Sequence, residues 1–164
     1  MPDNRQINEK YAKIGAELIA SEDILLDIRN SQATIVYLES DYPKMDKGRI
    51  VYGQCEKIQD KYKWGIPADF TITLFTPNVA DKSDEAIRRI ILHELLHVGI
   101  GVKKDGGEEY SVLPHDFEDF RVLIERWGVN YADVGDEPAF EADVDEWKPI
   151  TGDIWKEGGE RDDK

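Results

Sequence analysis

The chain contains three histidines, His93, His97 and His115, and all three fall within 23 consecutive positions. The first two frame His93-Glu94-Leu95-Leu96-His97, an H-E-x-x-H spacing. Residues four apart on a helix lie one above the other on the same face. Two imidazoles at that spacing can therefore hold one Zn²⁺ through their ring nitrogens. The glutamate between them projects beside the metal, where it can take a proton from a water that the metal activates. A catalytic zinc uses three protein ligands and keeps one position open. His115, 18 residues past His97, is the one histidine left to supply the third ligand.

These residues need a helix, and the sequence predicts one over Ser83 to Val98. Ser83 suits the N-cap, and Asp84 and Glu85 fall in the first turn, where the helix dipole favours anions. Gly99 and Gly101 are expected to stop it. On a helical wheel, Ile87, Ile91 and Val98 share a sector that also contains Glu94, while His93, His97 and Ile90 flank it. Leu92 and Leu96 lie opposite. Such a helix is apolar around most of its circumference and should be buried. A buried carboxylate costs several kcal/mol unless something compensates it, and a metal at His93 and His97 would explain Glu94.

Two blander readings compete. In one, the histidines and Glu94 only hydrogen-bond to core neighbours. In the other the metal is structural, but such sites close with four ligands and favour cysteine. The chain has a single cysteine, Cys55, away from the motif. Cys55 sits among apolar positions and reads as a small core residue rather than a nucleophile.

The elements around the motif read as follows. Ile7, Tyr11, Ile14 and Leu18 recur at helical spacing, and Ile24 to Ile28 is a short apolar continuation. Ala33 to Leu38 is β-branched and aromatic, a strand. Val51, Cys55, Ile58 and Tyr62 are again helically spaced, ended by Gly65 and Pro67, although the Ile50-Val51-Tyr52 start also suits a strand. Asp69 to Thr76 alternates as a strand and is closed by Pro77. Lys103 to Glu109 is a charged, glycine-containing turn. Pro114 is expected to open a helix whose apolar face is Phe117, Phe120, Ile124 and Trp127, stopped by Gly128. This order predicts an α+β fold with a small mixed sheet packed on the H-E-x-x-H helix and a following helix that carries a ligand.

Length and charge bound the rest. A chain of 164 residues suits one core, expected over residues 1–131. From Ala132 onward there are twelve acids and four bases, so residues 132–164 read as an acidic, solubilising and weakly ordered tail in which Phe140, Trp147 and Trp155 are interleaved. A net charge of −14 with no basic stripe excludes nucleic-acid wrapping. No apolar run approaches a membrane span, and no secretory signal stands at the N-terminus. With one cysteine, the expected location is cytoplasmic.

The motif is also joined to a second block, His115-Asp116-Phe117-Glu118-Asp119-Phe120. Together with the strand Asp69-Phe70-Thr71-Ile72-Thr73-Leu74, these blocks resemble the phage metallopeptidase family over roughly residues 33 to 128. That family has a D-F-x-I-x-I strand, an H-E-L-x-H helix and an H-D-x-E-E-F helix, with Asp119 here in place of the second glutamate. The resemblance implies a zincin-like fold, zinc, and peptidase activity. Metzincin and gluzincin patterns fit less well. Lys103 stands at the third-ligand position of the former, and the nearest glutamate for the latter is Glu118, 21 residues past His97. His115 is the favoured third ligand, with Asp116 or Glu118 as alternatives.

Two functions remain in play. One is a zinc peptidase acting on protein or peptide substrates, in which Glu94 is the general base and the strand Asp69 to Thr76 offers the substrate a sheet edge. Tyr110 is then a candidate for stabilising the oxyanion. If the chain is phage-encoded, it would act in the host cytoplasm. The alternative is a non-enzymatic, metal-stabilised phage protein that binds a host partner through its acidic surface.

Overall fold

The computed structural model describes residues 3–115 and 120–128. Residues Asp116, Phe117, Glu118 and Asp119 and the expected acidic tail lie outside the described residues, as does the expected boundary near 131.

The main sheet has four strands in the order β1-β2-β6-β5: β1 is Arg5–Ile7, β2 Ile35–Ser40, β5 Gly53–Lys57 and β6 Phe70–Phe75. β2 runs parallel to β6, pairing Ile35 with Phe70 and Ser40 with Phe75. β1 and β5 are antiparallel to their neighbours. Two small hairpins complete the strands, β3 (Met45–Asp46) with β4 (Arg49–Ile50), and β7 (Val98–Val102) with β8 (Glu108–Val112). The helices are α1 (Glu9–Ser21), α2 (Leu26–Asn30), α3 (Thr76–Val79), α4 (Asp84–Leu96) and α5 (Arg121–Trp127). The expected α+β class with a small mixed sheet is what the chain builds. No helix among the described residues is long and apolar enough to cross a membrane.

β6 is the centre of this arrangement, and all six of its residues are buried. Phe70, Ile72 and Leu74 share the core with Tyr37 of β2, Cys55 of β5, and Ile87, Ile90, Ile91 and Leu95 of α4. Each large aliphatic side chain buried this way contributes about 1.5–3 kcal/mol. α1 starts where Asn8 accepts a hydrogen bond from the Tyr11 N–H, so Ile7 belongs to β1 and lies outside the helix. Its buried residues, Tyr11, Gly15 and Leu18, keep helical spacing. A Cβ at Gly15 would stand 2.1 Å from the Tyr37 hydroxyl, so glycine lets α1 sit close to the sheet.

Four expectations are corrected here. Val51 to Tyr62 is not a helix: residues 53–57 form β5, and only Asp60–Tyr62 makes a 3₁₀ turn. The 4-3-4 spacing of its apolar residues mimicked a helix, but Tyr62 is half exposed and pairing with β6 decides the conformation. The strand around Asp69 to Thr76 cannot offer an edge, because β6 is paired on both sides. Gly99 and Gly101 do not stop α4, which ends at Leu96 with His97 as C-cap; they belong to β7. Pro114 and His115 are not helical, and α5 begins only at Arg121.

Candidate metal centre

α4 forms as its sequence dictates. The Ser83 side chain accepts from the Ala86 N–H at 3.1 Å, and Asp84 and Glu85 occupy the first turn. The helix buries Ile87, Ile90, Ile91, Leu92 and Leu95, and with them Glu94, which is only 5% exposed. His93 and His97 lie at its end, both half-buried.

The chain then turns back through the β7–β8 hairpin, which sets Val98 opposite Val112. Two bonds pin the hairpin to the helix end. The Leu113 N–H donates to the His97 carbonyl at 2.7 Å, and His97 Nδ1 meets the Leu113 carbonyl at 2.6 Å. A carbonyl can only accept, so Nδ1 carries the proton and, in the neutral ring, Nε2 keeps its lone pair. That is how an outer partner orients a metal-binding histidine. Gly99 now finds its reason. A Cβ there would lie 2.5 Å from Ser111 Oγ and 2.9 Å from two Leu113 side-chain carbons, so glycine lets β8 and Leu113 close over β7.

Two residues past Leu113 comes His115. Its Nε2 lies 2.9 Å from Nε2 of His93. One nitrogen from each of His93, His97 and His115 falls within 4.8 Å of the others, and the ring centroids are 4.5–5.2 Å apart. The three histidines are thus brought together from a helix end and a segment beyond a hairpin. Three imidazole nitrogens within 4.8 Å of one another, one of them with its tautomer fixed, form a donor set that fits a borderline-soft divalent ion such as zinc. Phe120 closes one side of the cluster. It is 6% exposed, and its ring stands edge-on to His93, His97 and His115 with centroids 5.2, 4.8 and 5.2 Å away. α5, which Phe120 caps, is tied to the body by Arg126 to Glu22 at 2.7 Å and by Arg89 stacked on Trp127.

Glu94 faces the sheet. A Cβ built on Gly53, the first residue of β5, would lie 2.9 Å from Glu94 Cγ and Oε1 and 3.1 Å from Cδ. The glutamate side chain therefore rests against bare strand backbone. Cys55, two residues along, is buried, and burial together with the nearby Glu94 and Glu56 charges pushes its thiol up to about 12. It is a core residue on a strand, with no thiolate to offer at neutral pH.

Tyr110 is committed elsewhere. Its hydroxyl donates to Glu108 Oε2 at 2.5 Å, and that bond, with burial, pushes its pKa up to about 12. Its ring packs on Phe70, which pairs with Lys57 at the opposite end of β5 from Gly53. Sequence reasoning missed Gly53, the Leu113 carbonyl and the contact between Phe120 and the histidines. A glycine inside a strand is a recognised sign of close approach, and that signal was available once 53–57 was read as a strand.

The family described as Putative phage metallopeptidase matches residues 4–149 of this sequence. The chain belongs to that family. The match spreads beyond the 33–128 stretch that carries the motifs. Membership makes this a metallopeptidase-family chain and implies a metal ion and protein or peptide substrates. No curated protein and no solved structure matches the chain.

Proposed function

We propose that this chain is a zinc-dependent peptidase of zincin-like design, with His93, His97 and His115 as the metal ligands and Glu94 as the general base. One observation carries the reading: three imidazoles cluster at the end of the helix that buries Glu94, and Glu94 in turn lies against the edge strand of the sheet. Bound zinc supplies Lewis-acid polarisation and makes water acidic enough to attack near neutral pH. Glu94 takes the proton of the attacking water and passes it to the departing amine. A purely structural metal would have no use for a carboxylate buried at that point. The phage family and the lone free cysteine favour work in a host cytoplasm.

β5 is the strand that could hold an extended substrate. The Phe75 N–H donates to the Tyr52 carbonyl and the Ile58 N–H to the Asp69 carbonyl. In an antiparallel ladder the residues alternate between facing the partner strand and facing away. Gly53, Cys55 and Lys57 therefore direct their backbone groups outward, away from β6. A peptide adding to that edge begins its ladder beside Glu94.

The test compares wild type with Glu94→Gln on unstructured protein and peptide-library substrates with zinc supplied. The variant is expected to retain stoichiometric zinc and to lose about 10²–10⁴-fold in hydrolysis. Equal activity in the two proteins, or none in the zinc-loaded wild type, would refute the assignment.

A further inference from the structure

Gly53 lies in strand backbone, and conformational freedom does not explain it. The described glycines with positive φ are Gly48, Gly106 and Gly128, whereas Gly53 takes an ordinary extended conformation open to any residue. Its partner across the ladder is Leu74, fully buried on β6. What sets this position apart is space. The missing Cβ is the volume that Glu94 occupies, with Cγ and Oε1 both 2.9 Å from where that carbon would stand. Real Cβ atoms do not come that near their neighbours. The crowded atoms include Cγ, in the middle of the side chain, so rotating the carboxylate alone would not relieve the contact. Any side chain at position 53 must push Glu94 aside or lift β5 away from α4.

From this we infer that Gly53 is a positioning residue: its lack of a side chain sets where the Glu94 carboxylate stands relative to the three histidines. The catalytic part of this inference rests on the proposed role of Glu94; the steric part does not. The same residue sets the face of β5, at its first position, against the proposed catalytic carboxylate. Substrate edge and proton carrier are thereby held at a fixed separation by one atom's absence.

The test is a double-mutant cycle on the full chain. Gly53→Ala should lower Tm by about 5 °C in the wild-type background, and by close to nothing in a Glu94→Ala background, where the contested volume is empty. Both Gly53→Ala proteins should still bind one zinc, because the histidines are untouched. In the wild-type background Gly53→Ala should lower kcat about 10²-fold with KM changed less than about threefold, as expected when a catalytic group is displaced by about 1 Å. Equal Tm losses in both backgrounds would overturn the inference, since the cost would then belong to the strand itself. So would a non-additive cycle with kcat unchanged. If the wild type hydrolyses nothing, the peptidase reading fails, and the thermal cycle still decides whether Gly53 sets the place of Glu94.

Discussion

Helix α4 and strand β5 both border Glu94, but they reach it by different routes. α4 carries its chemistry in a local repeat. The spacing that stacks His93 over His97 also turns Glu94 inward, and Ser83 fixes where the helix begins. β5 contributes no reactive side chain to the site. It contributes a bare stretch of backbone, and that backbone arrives only because Gly53 is paired with Leu74. The first kind of contribution is specified within about fifteen residues, the second by a partner strand and a helix distant in sequence. If the proposed roles hold, metal capture and proton transfer depend on different parts of the fold, so they should fail separately.

The sharpest way to break the helix side is His93→Ala, which should abolish stoichiometric zinc binding as measured by metal analysis after gel filtration. His115→Ala should come next. His115 is held by the hairpin rather than by α4, so the protein keeps its helix and its i,i+4 pair while zinc affinity, read by chelator competition, falls by more than the ~10–100-fold that loss of an outer partner costs. Unchanged affinity in His115→Ala would move the third ligand to Asp116 or Glu118. These two results together would show whether the far side of the cluster matters as much as the helix-borne pair.

On the sheet side, Cys55 provides a pH handle. Burial raises its thiol from an ordinary value near 9 to about 12. The folded state therefore prefers the protonated thiol. The stability this brings is fully present below about pH 9 and is lost as pH rises towards 12. Chemical denaturation of Cys55→Ala between pH 8 and 11 should show a shallower alkaline loss than wild type; parallel curves would contradict it. The smallest effect is expected at the start of α4. Ser83→Ala removes one cap bond and should cost about 1 kcal/mol, with zinc binding unaltered.

The same division governs what could be read from the sequence. The α4 helix, its cap, the burial of Glu94 and the His93–His97 pair were legible, because each follows from spacing within one element. β2 and β6 were legible from their β-branched alternation. β5 was not, because Val51, Cys55, Ile58 and Tyr62 repeat at helical spacing and only the ladder to β6 overrides it. The edge was misassigned to the neighbouring strand for the same reason: which strand is outermost is a property of the sheet. The β7–β8 hairpin left a signal that went unused, since Val98, Ile100 and Val102 alternate with glycines, and the glycines looked like a helix stop. The spacing puts His115 at a helix start; it reaches His93 from a segment outside any helix or strand instead.

That hairpin has a consequence for the order in which the molecule comes together. The three histidines lie between positions 93 and 115, and the ladder from Val98–Val112 to Val102–Glu108 folds the intervening chain back on itself. Closing so short a loop costs little entropy and is fast. The glutamate's berth, by contrast, requires a strand 41 positions upstream to pair with β6 at the edge of the sheet and to lie against α4. On the proposed roles, the histidine cluster is therefore a local assembly and the glutamate's berth a long-range one, so loosening β5 should cost cleavage before it costs metal.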